Sequence, residues 1–347
     1  GSPRPFLLPW RGQPRSWTRD HGWEQRGEPN WTYEPIACGD CQRTEEQVWH
    51  GMELYDAHCH LQDARLGNET RRMLEEARQA GVRGWVCNGT QPKDWEQVHQ
   101  LAVRHEGVVA SYGLHPWHVE RVGSKHEDER GTRHESMRNP EKHTDAPDAE
   151  PEWLMLLSRW LSHDTNACVG EAGLDFAKKH AITQEGRENQ REALRQQLRL
   201  ARAFSRPISL HCVKAHVPIL ELLKEEGPFP MGVLIHGYLG PPECIRALVQ
   251  AGSSFSLGGH LTKIPEGKAQ AIVKSVPVER LMLETDCPDG LLKNKAEGSP
   301  TESASAFNHP ENLQEVLVMV ARMRGVEAAE LAEISSKNAR AMFVLPS

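Results

Sequence analysis

An alternation that begins at Met52 and repeats eight times limits what this chain can fold into: a short apolar run, then an amphipathic stretch. The apolar runs are Glu53–Ala57, Gly84–Asn88, Val108–Gly113, Ala167–Glu171, Pro207–Leu210, Gly232–Ile235, Ser253–Leu257 and Leu281–Glu284. Each has the length of a strand, and strands of a parallel sheet, covered on both faces, read as near-continuous apolar runs. Helical stretches separate most of them, at Glu69–Ala80, Lys93–His105, Glu152–Ser162, Glu185–Phe204, His216–Lys224, Pro242–Gln250 and Gly267–Val276; His309–Arg324 and Ala328–Phe343 close the chain. Eight β–α units in order predict a (β/α)8 TIM barrel over residues 52–347. The alternative, a doubly wound open sheet, usually has fewer strands and a glycine-rich phosphate loop, which this sequence lacks.

The 347 residues fit one barrel of about 250 residues plus extensions. Residues 1–51 are predicted to be a non-barrel N-terminal extension, probing neither helical nor strand periodicity and rich in Pro, Arg and Trp. They lack the apolar core of a secretory signal, and their acidic residues argue against an organellar transit peptide, which stays open. Beginning on Gly1 rather than Met, the chain is expected to be processed, tagged or truncated. Cys38-Gly39-Asp40-Cys41 is a lone C-x-x-C without a second Cys/His pair nearby, so a metal or redox role is the lesser reading. The other cysteines lie mostly in apolar runs; Cys87, Cys168, Cys212 and Cys244 read as reduced core thiols, which points to an intracellular, cytoplasmic protein. No apolar run is long enough for a membrane span. Two segments interrupt the alternation. Gly123–Pro151 is strongly charged and expected to be solvated and mobile. Asp289–Ala306 follows the last strand and is expected beside the barrel mouth, as a lid.

The net charge is −7, with Lys+Arg 41 against Asp+Glu 48. That excludes a protein that coats duplex DNA through a broad basic face. It leaves a nuclease open, because bound divalent cations supply positive charge where a phosphate must sit.

The chemistry lies at the strand ends. Strand one ends in Asp56-Ala57-His58-Cys59-His60, strand four in Gly170-Glu171-Ala172-Gly173-Leu174-Asp175, strand five in Leu210-His211-Cys212, strand six in Ile235-His236-Gly237 and strand eight in Glu284-Thr285-Asp286. In a barrel these ends converge at the C-terminal mouth, where barrel active sites lie. Residues i and i+2 of a strand point the same way, so His58 and His60 can reach one divalent ion. His211 and His236, from neighbouring strands, can hold a second. Glu171 has two oxygens and can bridge ions about 3.5–4 Å apart. Asp286 can bind the first ion and accept the proton of its water, which becomes a hydroxide nucleophile near neutral pH. Taken singly, a strand-end histidine is more often a hydrogen-bonded core residue, and Glu171 or Asp286 a cap or ion-pair partner. Six at the mouth ends of the right strands favour the metal reading. His115 at the end of strand three is a candidate substrate contact; His118 and His260 are lesser ones. Met319, Met323 and Met342 read as core packing.

From Met52 to Phe343 these motifs resemble the TatD-type metal-dependent deoxyribonucleases, a branch of the amidohydrolase-like barrels. The resemblance is carried by Asp56-Ala57-His58-Cys59-His60-Leu61, Gly113-Leu114-His115-Pro116, Gly170 to Asp175, His211-Cys212, the His236 strand end, Glu284-Thr285-Asp286-Cys287-Pro288 and Asn338-Ala339-Arg340. The long insertions and Asn308-His309-Pro310-Glu311-Asn312 are most similar to plant and algal members. The resemblance implies hydrolysis of phosphodiesters in DNA, often 3′ to 5′ on single strands, with divalent metal: Mg, Mn or Zn. It fills the family's ligand positions with His58, His60, Glu171, His211, His236 and Asp286. Three places depart from the family's pattern: Val213-Lys214 after Cys212, Gly237-Tyr238-Leu239-Gly240 after His236, and Phe307 before Asn308. Lys214, one position from where the family often keeps Arg, is the expected contact to a nucleic-acid backbone. The competing reading is an amidohydrolase of a small cyclic amide or another ester. Many such enzymes bridge their metals with a carboxylated lysine, where this chain has Glu171. A non-catalytic scaffold is disfavoured by the intact ligand set.

Overall fold

The eight apolar runs become eight strands. The computed structural model describes residues 52–119, 150–177, 183–293 and 307–343, all within the compact unit Gln42–Ser347. The strands are β1 (Leu54–Cys59), β2 (Val82–Asn88), β3 (Val108–Tyr112), β4 (Cys168–Asp175), β5 (Ile208–Val213), β6 (Val233–Ile235), β7 (Ser253–Leu257) and β8 (Leu281–Leu283). Each pairs in parallel with the next, and β8 returns to β1 with Leu283 opposite Asp56. The (β/α)8 barrel expected from the sequence is the fold. Expectations for residues 1–51, with their Cys38–Cys41 pair, and for most of 123–151 and 289–306, fall outside the described residues.

The helices are α1 (Thr70–Gln79), α2 (Trp95–Arg104), α3 (Glu152–His163), α4 (Gln184–Ala203), α5 (His216–Glu226), α6 (Pro242–Gln250), α7 (Glu266–Ser275), α8 (Leu313–Arg324) and α9 (Ala328–Phe343). Their registers follow the apolar spacing. On α1 the buried residues are Thr70, Met73, Leu74 and Ala77, the i, i+3, i+4, i+7 face of one helix. The N-cap Thr183 accepts from the Gly186 N–H at the start of α4, and Gly325 ends α8 in the left-handed conformation, φ 79°. Met342 and Phe343 of α9 pack with Tyr55, Leu234 and Met282 and plug the barrel near the strand starts. Met323 is buried in the outer core and Met319 packs against it. Among the described residues, no helix is long and apolar enough to cross a membrane.

Two boundaries differ most from expectation. The helix expected from His309 begins at Leu313, after a 3-10 turn over Pro310–Asn312. β4 runs on past Glu171 to Asp175. Its glycines read as a strand end, but they let β5 approach. A Cβ on Gly173, whose φ is 138°, would stand 2.1 Å from the His211 carbonyl oxygen.

Candidate metal centre

The strand ends bring all six expected ligands together. Glu171, 3% exposed, lies at the middle, and each of its oxygens faces a different set of histidines. Oε2 is 3.6 Å from His58 Nε2 and 3.3 Å from His60 Nε2, both from the β1 end. Oε1 is 2.9 Å from His211 Nδ1, 2.8 Å from His236 Nε2 and 3.2 Å from His115 Nε2. Asp286 Oδ1 approaches the first set, 3.5 Å from His60 Nε2 and 4.0 Å from His58 Nε2. Asp286 adopts φ 52°, a left-handed conformation that Asp tolerates better than most residues but that is uncommon outside functional sites.

A second layer orients these rings. His60 Nδ1 donates to the Asn88 carbonyl at 2.7 Å, an oxygen that also accepts from the Gln62 amide. A carbonyl only accepts, so the proton is on Nδ1 and neutral His60 presents a lone pair at Nε2. His58 Nδ1 is 2.9 Å from Ser209 Oγ, which leaves His58 Nε2 facing His60 Nε2 at 3.3 Å. Two imidazole nitrogens so placed repel unless a proton or a cation joins them. Glu284 sits behind His236, its Oε2 3.8 Å from Nδ1, and takes a short hydrogen bond from Ser256. Asp175 Oδ2 lies 3.5 Å from His211 Nε2 and accepts from Trp117 Nε1 at 2.6 Å.

The electrostatics are those of a cation site. Burial pushes the Glu171 carboxyl up, but His115, His236 and His211 outweigh it and hold it well below the usual range. Burial likewise pulls His60 down, and hydrogen bonding and charge from Glu171, with Asp286, more than reverse this, to about 9. Burial drives Asp286 up to about 7. Three groups of donor atoms fall within 4.8 Å of one another: His58, Glu171 and His236; His58, His60 and Asp286; His115, Glu171 and His211. Imidazole lone pairs and carboxylate oxygens in this number suit a divalent ion, so the residues fit metal.

The cluster forms the floor of a cavity of about 520 Å³. Carboxylates of Asp63, Asp94, Glu171, Asp286 and Asp289 line it, against the cations Arg65 and Lys93. Arg65 is committed to Asp63 and Asp289, which ties the start of the last loop to the β1–α1 connection. His118 and Trp117 also line the cavity. His260 stands beside the cluster, with Nδ1 3.5 Å from Asp286 Oδ2. His115 is buried against Glu171, closer to the cluster than its expected role as a substrate contact required. Lys214 is exposed at the end of β5 with φ 54° and does not line the cavity.

Sequence reasoning did not single out Ser209, Asp175, Lys93 or Trp117. Two of them carried a signal: Asp175 closes the strand-four motif that begins at Gly170, and Trp117 stands two residues past His115 and one past Pro116.

A closed barrel with a histidine–carboxylate cluster at its C-terminal mouth defines the class of metal-dependent hydrolases. Residues 55–344 match the model of the TatD related DNase family, and the chain belongs to that family. It is 30% identical over 294 residues to the human deoxyribonuclease TATDN3, covering 84% of this chain and 95% of that protein. It is 27% identical over 296 residues to the 3′-5′ ssDNA/RNA exonuclease TatD of Erwinia billingiae, covering 85% of this chain and all of that one. Among solved structures, YJJV, a TatD homologue from Escherichia coli K12, superposes with a TM-score of 0.68 at 26% identity, over 84% of this chain and 98% of that one.

Proposed function

We propose that this chain hydrolyses phosphodiester bonds in DNA, removing nucleotides 3′ to 5′ from single strands with two divalent ions, Mg, Mn or Zn. The observation that carries the reading is the division of labour within Glu171, one oxygen toward His58 and His60 and the other toward His211 and His236. His58, His60 and Asp286 would hold one ion and His211 and His236 the other, with Glu171 shared between the two sets. Bound there, the ions supply positive charge for a phosphate and lower the pKa of water to near neutrality. The cavity needs that charge, since its lining is acidic and would repel a phosphodiester. Asp286 is the proton acceptor. His115, whose Nδ1 accepts from the Trp117 N–H, has its one donor at Nε2, and it would offer that N–H to a non-bridging phosphate oxygen in place of Glu171. Lys93 and Lys214 are the cations available to the backbone beyond. A cavity of about 520 Å³ has the size of a small-molecule site, which supports one strand end as the occupant over a paired duplex. The name of the Erwinia relative, an exonuclease of single strands, supports the same choice.

The test is a panel of 5′-labelled single-stranded DNA, duplex DNA and RNA, a D-aminoacyl-tRNA ester and a cyclic amide, each with Mg, Mn or Zn. A ladder shortening from the 3′ end of single-stranded DNA is the expected result. Turnover of the amide with no cleavage of any nucleic acid would replace this reading by the amidohydrolase one.

A further inference from the structure

Trp117 stands at the cavity rim with 42% of its surface exposed, while Trp85 and Trp95 are fully buried. A tryptophan that serves packing hides its ring; this one is held in place and left partly open. Its Nε1 donates to Asp175 Oδ2 at 2.6 Å. Its ring meets the His115 ring edge to face, with centroids 4.6 Å apart, and lies 6.0 Å from the His211 ring at 74°. Its backbone N–H donates to His115 Nδ1 at 3.1 Å. The indole is therefore fixed beside two residues that touch Glu171, with the rest of its ring bordering the same cavity.

We infer that Trp117 is the stacking platform for the base of the nucleotide whose phosphate lies at the histidine–carboxylate cluster. This rests on the nuclease reading and adds to it that the site grips the base as well as the phosphate. A planar indole suits the purpose because every base has a π face, so stacking holds a strand end without choosing its sequence. Asp175 fixes the ring before substrate arrives, so little side-chain freedom is lost on binding. Of the two cations that line the cavity, Arg65 is already engaged by Asp63 and Asp289 and offers a base no guanidinium plane to stack on, which leaves that task to an aromatic face.

The test is a double-mutant cycle between protein and substrate. Wild type and Trp117→Ala are compared on a short oligothymidylate and on the same strand ending in an abasic residue. Stacking predicts that Trp117→Ala raises KM about 5- to 100-fold on the intact end and far less on the abasic end, where there is no base to lose. Trp117→Phe keeps most of the discrimination. In parallel, an uncleavable phosphorothioate-ended oligothymidylate quenches indole emission in the wild type and loses that component in Trp117→Phe. Equal KM changes on the two strands, or none, with no change in quenching, would overturn the platform and leave the nuclease reading standing. Absence of cleavage of either strand by the wild type, with a small phosphodiester still hydrolysed, would overturn both.

Discussion

The imidazoles of His58 and His236 lie face to face, ring centroids 3.7 Å apart and planes 7° from parallel, although β1 and β6 are not neighbours in the barrel. Two rings so close do not both hold a proton. Burial, then the charge of His236, drives His58 down to about 3. His236 goes the other way, since Glu171 and Glu284 overcome its burial.

That asymmetry predicts how metal binds. Without an ion, His60 and His236 carry protons at neutral pH, because their pKa values lie above the ordinary one. A bound ion requires their lone pairs, so it must displace those protons. Titrating the metal-free protein with Mn in weak buffer at neutral pH should release protons. Affinity should rise with pH through about 9, where His60 gives up its proton, and further as His236 does. Metal uptake without proton release would show that these rings are not ligands.

Glu171→Ala should abolish turnover and leave the barrel folded. Removing the carboxylate that faces both histidine sets leaves cations without the charge between them, so bound metal should fall as well. Turnover and metal content of the same preparation decide the point. Near-normal values of both would remove the bridging role.

Asp286→Asn should lower kcat by about 10²–10⁴-fold while some metal and substrate still bind, the usual loss when a general base is removed. An amide keeps an oxygen for coordination but accepts no proton. Steady-state kinetics give the split, and a drop below about tenfold would move the base elsewhere.

Lys93→Ala and Lys214→Ala separate two candidate backbone contacts. Lys93 lines the cavity and Lys214 does not, so Lys93→Ala should raise KM for oligonucleotides more and flatten its dependence on salt. The reverse order would return the backbone contact to Lys214.

Gln197→Leu should destabilise the fold by about 2–4 kcal/mol, the cost of leaving buried backbone groups unpaired. The fully buried Gln197 amide accepts from Leu114 N at 2.8 Å and donates to Leu114 O at 3.1 Å, tying α4 to the segment that carries His115. Urea unfolding measures the loss, and a stability within about 0.5 kcal/mol of wild type would show that the clamp is dispensable.

The strand count and the cluster were legible in the sequence because each depends on local pattern. An apolar run gives a strand, and its last residues give the mouth. What was illegible depends on contacts across the chain. Ser209 reads as an ordinary strand residue, and the ring it orients, His58, lies 151 positions away. The continuation of β4 was hidden by glycines whose purpose shows only once β5 lies against them. Lys93, read as the first residue of a helix, stands in the turn before α2, and Trp117 lies in the 3-10 turn Pro116–His118; in turns so short no periodicity says which way a side chain faces.

The seam of the barrel has a biological consequence. His58 and His60 come from the first strand and Asp286 follows the last, and the two ends are stitched by Asp286 N to His58 O at 3.0 Å and His60 N to Cys287 O at 2.7 Å. A chain still emerging from the ribosome, with β8 unfinished, has no complete centre. On the proposed ligand set, the order of synthesis therefore sets the order of assembly: the two histidines of β1 wait for the carboxylate made last, and the centre is complete only when the two ends of the barrel meet.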